Sequence, residues 1–394
     1  MKNISILGVT GSIGESTLKI CKNYPNELNI LGILTNKNIK ALLDIIDCYK
    51  VEYAVVADEK SALDYFGASM KEYKGTKIFL GEEGLEKICS DSRCDTILNG
   101  ISGKAGVIPS YKILSNGINL ALANKESMVC AGKILKKIAK ENNCKIIPVD
   151  SEHSAIFQLV EKFGKNNLSN IILTASGGPF LNLDKSKWSE ISVKEALNHP
   201  TWKMGNKITI DSATMANKGL EVIEAYELFD IPYDKIKVLT HPQSLIHSMI
   251  ECRDAEIYAQ IGPKDMSLPI MNAIFYPEIK ENNFNRLDFT KPLSLELIPV
   301  DFNKFKMLEL AYYCGKKDGL YTTFYNSANE ELVRLFLEEK IGFIDIERYF
   351  LEALNIFEKE KSRESLNMEN IEKTDKKTLD IIKEIIKRRS PAES

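Results

Sequence analysis

Eight cysteines, at 21, 48, 89, 94, 130, 144, 252 and 314 of 394 residues, form no C-x-x-C pair and no regular framework. That absence argues against a zinc cluster or a disulfide scaffold and for a reducing compartment. Long hydrophobic runs are missing as well: no stretch approaches the roughly 20 apolar residues that span a bilayer. Neither charge sign dominates, since 52 Lys+Arg against 55 Asp+Glu leave a net charge of −3. A nucleic acid or a membrane surface is therefore not expected as a partner. The first residues pass directly into an apolar run, without a basic n-region and h-region or an Arg/Ser-rich transit segment. A cytoplasmic location is expected, although a plastid protein trimmed of its transit peptide reads the same way. There is no internal repeat.

What is present is ordinary for a globular protein: 44% hydrophobic and 27% charged residues, enough for a large core without staples. The length suggests two or three domains. Over residues 1–149, short apolar runs at 4–8, 27–34, 53–56, 96–98, 118–123 and 146–149 alternate with helix-like segments. Such alternation predicts a parallel, doubly wound sheet. Over 150–275 the strand-like runs (171–174, 207–210, 237–239, 248–250, 257–260) have few helices between them, which predicts an α+β domain. Residues 276–300 carry Pro277, Pro292 and Pro299 with little periodicity and read as a linker. Helical spacing returns at 304–316, 323–339, 345–358 and 373–388, predicting a C-terminal α-helical domain over 301–390, with a Lys/Glu-rich solvated face and a frayed end.

The turn Gly8-Val9-Thr10-Gly11-Ser12-Ile13-Gly14 follows the first predicted strand and opens a helix. Glycines there allow backbone N–H groups and the helix N-terminus to approach a pyrophosphate, so the N-terminal sheet is expected to be Rossmann-like. The spacing is G-x-x-G-x-x-G, and a plain strand-to-helix turn would use the same residues. After the second strand comes Thr35-Asn36-Lys37-Asn38, with no carboxylate for the ribose hydroxyls. An acid would repel a 2′-phosphate whereas Lys37 and two amides attract one, so NADP is favoured over NAD. Lys37 as an ordinary surface lysine is the competing explanation.

The predicted strand at 146–149 runs into Asp150-Ser151-Glu152-His153. In an extended chain, Asp150 and Glu152 would share a face at the carboxyl end of a strand, where ligands of α/β sheets bind. Two carboxylates so close call for a cation, and oxygen donors without His or Cys suit Mg²⁺ or Mn²⁺. A helix N-cap ahead of Ala155-Ile156-Phe157 is the better explanation from this segment alone. A second segment, Asp211-Ser212-Ala213-Thr214-Met215-Ala216-Asn217-Lys218-Gly219-Leu220-Glu221, is read as following a strand and entering a helix over 220–229. Its hydroxyls, amide, lysine and carboxylate are the inventory of a phosphate-plus-metal site. Thr174-Ala175-Ser176-Gly177-Gly178-Pro179 offers another small, hydroxyl-bearing turn. Glu224 reads as a further ligand or as a plain ion-paired glutamate. Of four histidines, His199 lies in His199-Pro200-Thr201-Trp202-Lys203-Met204-Gly205, a segment suited to a lid and equally to a surface loop. His241 and His247 read as structural, and His153 as part of a helix start.

Taken together, these segments make the chain closely resemble the 1-deoxy-D-xylulose 5-phosphate reductoisomerases along nearly its whole length. The motifs are the 8–14 turn, Leu122-Ala123-Asn124-Lys125-Glu126-Ser127, Pro148-Val149-Asp150-Ser151-Glu152-His153, Ser176-Gly177-Gly178-Pro179-Phe180, the 199–205 segment, the 211–224 segment and His241-Pro242-Gln243-Ser244. The resemblance implies metal ligation by Asp150, Glu152 and Glu221. It implies substrate contacts from Ser151, Glu152, Ser176, His199, Ser212, Asn217, Lys218 and Glu221, with Lys125 at the reacting end; Lys125, Glu152 and His199 would be catalytic. NADPH would meet Thr10, Gly11, Ser12, Ile13, Asn36, Lys37, Asn38, Asn124, Glu126 and Gly205, with Trp202 and Met204 in the lid. Two positions depart from the family pattern: Val9 replaces a small hydroxyl residue, and Asn36 stands where glycine is common, so that a side-chain contact to the 2′-phosphate would replace a backbone one. The implied reaction cleaves and rejoins the carbon skeleton of a phosphorylated sugar and then reduces it with NADPH to 2-C-methyl-D-erythritol 4-phosphate, in a homodimer. Another NADP-dependent sugar-phosphate dehydrogenase, a metal-dependent aldolase, and a non-catalytic NADP-binding regulator are the rival functions; product analysis separates the first two, and turnover excludes the third.

Overall fold

Short aliphatic runs and amphipathic stretches alternate as strands and helices in the computed structural model, which describes residues 1–67, 71–202, 204–360 and 364–389. Two units emerge: Met1–Ser127 with Leu135–Phe157 and Asp265–Arg286, and Met128–Ile134 with Gln158–Lys264 and Leu287–Ser394. The first begins β1 (Lys2–Leu7), α1 (Ser12–Asn23), β2 (Leu28–Thr35), α2 (Ile39–Cys48), β3 (Tyr53–Val56), α3 (Glu59–Phe66), β4 (Glu72–Tyr73), β5 (Thr76–Leu80) and α4 (Gly81–Ser90). It continues β6 (Thr96–Asn99), α5 (Val107–Ser115), β7 (Asn119–Leu122), α6 (Lys125–Glu141), β8 (Ile146–Pro148) and α7 (Ser151–Phe163). Its strands form one sheet in the order β4-β5-β3-β2-β1-β6-β7-β8. Pairing is parallel except for the β4–β5 hairpin, which periodicity did not predict. Because both faces carry helices, the strands read as unbroken apolar runs: Ile4, Ile6, Ile33, Ala54, Val56, Leu98 and Ala121 are all buried in one core.

Chain order runs outward from β1 in both directions, which makes the carboxyl ends of β1 and β6 the switch point where such sheets bind ligands. The 8–14 turn leaves β1 there. Gly8 has φ +76°, and a Cβ on it would lie 2.7 Å from the Gly100 carbonyl oxygen at the end of β6. Glycine is thus required both by conformation and by the approach of the two strand ends.

The second unit contains β9 (Leu168–Ala175), α8 (Val193–Ala196), α9 (Asn206–Thr214), α10 (Ala216–Phe229), β10 (Ile236–Thr240), β11 (Ile246–Cys252) and β12 (Ile257–Ile261). After α11 (Ser267–Phe275) come β13 (Ile298–Pro299), α12 (Lys306–Lys317), α13 (Leu320–Leu337), α14 (Phe343–Glu360) and α15 (Met368–Arg389). The second sheet has the order β12-β11-β9-β10-β13. Aromatic packing joins the last helices: Phe324 stacks on Phe357 at 4.5 Å and meets Phe350 edge-on at 5.5 Å. No helix among the described residues is long and apolar enough to cross a membrane.

Three local expectations change. Residues 207–210, expected as a strand, lie in α9, where Thr209, Ile210, Asp211, Ala213 and Thr214 are all buried. The β-branched residues signal a strand, but burial on nearly every side of a short segment overrides that preference. The 211–221 segment consequently does not follow a strand: residues 211–214 complete α9, and α10 starts at Ala216 rather than 220. Residues 265–275, expected in the middle domain, belong with 276–286 to the first unit. There Ile270, Met271, Ile274 and Phe275 of α11 join the first core, and the Phe275 ring meets Tyr24 at 5.2 Å. Lys2 Nζ donates to the carbonyls of Phe275 and Tyr276 at 3.1 and 2.9 Å, satisfying the helix's C-terminal acceptors. Ser390, at the end of the predicted helical region, is outside the described residues.

Candidate active site

The first unit carries the expected cofactor residues other than Gly205, at or after the carboxyl ends of its strands. Gly11 is the N-cap of α1 and makes no side-chain capping bond, so the first-turn N–H groups, those of Ser12 and Ile13 among them, are available to an anion. Thr10 Oγ1 is hydrogen-bonded to Thr35 Oγ1 at 2.8 Å, tying the turn to the end of β2. Asn36, Lys37 and Asn38 follow β2 and are exposed. Their roles there differ. Asn38 caps α2, its Oδ1 accepting the Ala41 N–H at 3.2 Å, and Lys37 Nζ lies 3.6 Å from Asp58 with its side chain 64% exposed. Asn124 holds the loop after β6: its amide donates to the carbonyls of Ile101 and Gly103 at 2.8 and 2.7 Å and to Glu126 Oε2 at 3.0 Å. Its Oδ1 accepts the Ser127 N–H at 2.9 Å, starting α6. The loop of Gly100, Ile101 and Ser102 escaped the sequence reading, although glycines just after a strand are the signal that marked the first turn.

Lys125 opens α6, and its Nζ lies 2.5 Å from Asp150 Oδ2, the side chains 7% and 18% exposed. Asp150 and Glu152 do not continue β8 as an extended chain. Helix α7 begins at Ser151, and the Asp150 carbonyl accepts the Ser154 N–H at 2.8 Å. The helix-start explanation is therefore correct for the backbone, and it leaves the Asp150 carboxylate directed at Lys125. Ser151 Oγ donates to Glu152 Oε2 at 2.5 Å. His153 is fully buried on α7.

In the second unit, Ser176 follows β9, and His199 lies beyond α8. The His199 ring is gripped from both sides. Its Nδ1 accepts the backbone N–H groups of Thr201 and Trp202 at 3.2 and 2.9 Å, so the proton sits on Nε2. That Nε2 lies 3.0 Å from Ser176 Oγ and 3.1 Å from Ser212 Oγ. Burial lowers the His199 pKa from its ordinary value, which keeps a neutral N–H donor between two hydroxyls. Gly177 and Gly178 have φ +85° and +66°, and a Cβ on Gly178 would stand 2.6 Å from the Ser212 carbonyl oxygen. The Ser176 turn thus rests directly on α9. One residue, Met215 at φ 63°, separates α9 from α10. In the first turns of α10, Asn217 Nδ2 and Lys218 Nζ both donate to the Glu221 carboxylate, which is 1% exposed.

Trp202 and Met204 are half-buried, Gly205 is the N-cap of α9, and Lys203 lies outside the described residues. His241 is structural: Nδ1 donates to the Glu296 carbonyl at 2.8 Å, and Nε2 accepts the N–H groups of Leu245 and Ile246 at 3.0 and 3.1 Å. His247 Nε2 donates to the Pro263 carbonyl at 3.2 Å.

Each unit therefore presents a concentration of polar, partly buried side chains at strand or helix ends, one rich in carboxylate and lysine, the other in hydroxyls and N–H donors. Domain descriptions match in chain order: "1-deoxy-D-xylulose 5-phosphate reductoisomerase" over residues 4–132, its C-terminal domain over 146–229, and "DXP reductoisomerase C-terminal domain" over 261–381. The chain belongs to the 1-deoxy-D-xylulose 5-phosphate reductoisomerase family. A family member from Clostridium kluyveri is 44% identical over 91% of this chain and 93% of its own length. One from Clostridium botulinum is 45% identical over 96% and 98%. Among solved structures, a reductoisomerase in complex with NADPH, fosmidomycin and magnesium is 36% identical with a TM-score of 0.91, covering all of both chains. The Zymomonas mobilis enzyme with NADPH is 34% identical with a TM-score of 0.87, over 98% of this chain and 99% of that one. The fold expected from the sequence, α/β with a parallel-rich sheet, agrees with both.

Proposed function

We infer that this chain isomerises and reduces 1-deoxy-D-xylulose 5-phosphate to 2-C-methyl-D-erythritol 4-phosphate, using NADPH and a divalent cation, within non-mevalonate isoprenoid biosynthesis. The observation that carries the reading is family membership along the whole chain, from the nucleotide turn to the C-terminal helices. The phosphate end is best supported by geometry. The His199 Nε2–H and the hydroxyls of Ser176 and Ser212 form a cluster of polar hydrogens, and the Asn217 amide and the Lys218 ammonium supply further donors. Binding energy gained on the phosphate closes the segment carrying Trp202 and Met204 and aligns the reacting end.

Asp150, Glu152 and Glu221 are the proposed donors for Mg²⁺ or Mn²⁺. The donor chemistry fits, being hard carboxylate oxygen without thiolate or imidazole. When bound, the cation supplies Lewis-acid polarisation and NADPH supplies the hydride. Ser151 and Glu152 hold the substrate hydroxyls. Lys125, buried beside Asp150, stabilises negative charge that develops on substrate oxygen as the skeleton is cleaved and rejoined. Thr10, Gly11, Ser12 and Ile13 hold the pyrophosphate, and Asn36, Lys37 and Asn38 the 2′-phosphate. Asn124, Glu126 and Gly205 supply the remaining NADPH contacts. A cytoplasmic homodimer is proposed; β12 ends one side of the second sheet with Ile257 and Ile261 55% and 44% exposed, an apolar edge suited to self-pairing.

The test is NADPH oxidation with 1-deoxy-D-xylulose 5-phosphate, with and without a chelator, together with product identification. Metal-dependent oxidation yielding the branched polyol phosphate is expected. NADPH binding without turnover would instead indicate a regulator.

A further inference from the structure

Asp211 precedes Ser212 on α9 and is a carboxylate with a side chain only 1% exposed. Two groups satisfy it. Lys207 Nζ lies 2.9 Å from Oδ2, and Asn329 Nδ2 donates to Oδ1 at 2.7 Å. These partners do different things. Lys207 stands one turn earlier on the same helix, so its ion pair cannot determine where α9 lies. Asn329 is fully buried on α13, 118 residues away in sequence. Its bond ties α9 to a separate element at the residue next to the Ser212 hydroxyl. A buried carboxylate that loses a partner carries a desolvation penalty and moves to recover one. Lys207 rides on α9 itself and cannot fix the helix in place, so without Asn329 the Ser212 end of α9 loses a tie that sets its position against His199 and the Gly178 turn resting on it.

We propose that Asn329 is a positioning residue for substrate-phosphate binding, holding the Ser212 hydroxyl in register with His199 through the Asp211 carboxylate. The inference rests on the phosphate-binding role given to Ser176, His199 and Ser212 above. It assigns a function to a helix of the C-terminal region that carries none of the expected contact residues.

Steady-state kinetics on the full-length protein test it, using Asn329→Ala, Asp211→Ala, Ser212→Ala and the double variant Asn329→Ala/Ser212→Ala. Expected for Asn329→Ala is a KM for 1-deoxy-D-xylulose 5-phosphate raised about tenfold, the equivalent of one hydrogen bond to a charged group. The KM for NADPH and the metal requirement stay at their wild-type values, and Asp211→Ala behaves likewise. Because Asn329 acts through Ser212, the double variant matches Ser212→Ala alone. A core hydrogen bond with no positioning role would lower thermal stability and leave substrate KM unchanged, and that result overturns the proposal. Effects of Asn329→Ala and Ser212→Ala that multiply also overturn it, as does failure of both Asn329→Ala and Asp211→Ala to fold. If the wild-type chain itself does not turn over the substrate, the functional reading fails; wild-type turnover with an unchanged variant KM rejects the proposal alone.

Discussion

Substituting Gly178 by alanine should damage the proposed phosphate end of the site by an amount that the geometry sets. At φ +66° the backbone is left-handed, where a residue with a Cβ costs roughly 1–2 kcal/mol. The new Cβ would also lie 2.6 Å from the Ser212 carbonyl oxygen and must retreat by about 0.8 Å to reach ordinary contact at 3.4 Å. Both obstacles are backbone, so no side chain can swing aside. Relief comes from separating the Ser176 turn from α9, which lengthens the contacts of 3.0 and 3.1 Å between His199 Nε2 and the two serine hydroxyls. Both then pass the range in which a hydrogen bond retains its strength. Two weakened bonds at about 1 kcal/mol each, added to the strain, give roughly 3–4 kcal/mol. If that appears in the transition state, kcat/KM falls about 100- to 1,000-fold. The assay is NADPH consumption at varied substrate, with circular dichroism as the fold control. A folded Gly178→Ala enzyme whose substrate KM and kcat/KM stay within about twofold of wild type refutes this account of the turn.

Glu221→Gln retains shape and loses charge, so half-maximal activity should need at least about tenfold more Mg²⁺, the scale of even outer-shell metal perturbations. An unchanged metal titration removes Glu221 from the proposed ligand set. Lys37→Glu should raise the KM for NADPH about tenfold and that for NADH far less, because the new charge opposes only the 2′-phosphate; equal effects on both cofactors would make Lys37 an ordinary surface lysine. His199 has its pKa lowered by burial. The unfolded chain therefore takes up the imidazole proton first, near about pH 6.5. The stability linked to this group is complete above that pH and declines as pH falls from there through the lower folded-state value. Imidazole C–H resonances followed by NMR should give a His199 midpoint below that of a free histidine peptide, and a midpoint at or above it contradicts the Nδ1 latch.

The glycine turn after the first strand, the alternation of apolar runs and helical stretches, and the periodicity of the last four helices were legible because each depends on local physics. Glycine conformation, strand burial on both faces, and the 3.6-residue repeat operate within a dozen residues or so. Several of the candidate site residues are marked in the same way. Ser176, His199, Lys125 and Asp150 stand at turns and helix starts whose composition marks them, whereas Ser212 lies inside α9, where a strand end was expected. Local composition misled at 207–210, where Lys207-Ile208-Thr209-Ile210 alternates like a strand yet lies in α9. A nine-residue helix buried over most of its surface has no polar face to print a helical period on the sequence. Local pattern also assigned 265–275 to the wrong unit, since an apolar helix does not state which core receives it.

Asp150 and Glu152, two carboxylates separated by one residue, fit a strand end and, better, a helix cap from the local sequence alone. Tertiary structure decided that the backbone turns into α7 at Ser151 while the Asp150 side chain meets Lys125. It also decided that Lys37 lies near Asp58, that His199 carries its proton on Nε2, and that Asn329 reaches Asp211. The physical reason is common to all four. Residue type and spacing fix what a side chain can donate or accept and which backbone conformations are inexpensive. Which partner satisfies that capacity depends on contacts made when distant segments pack, and sequence spacing carries almost none of that information.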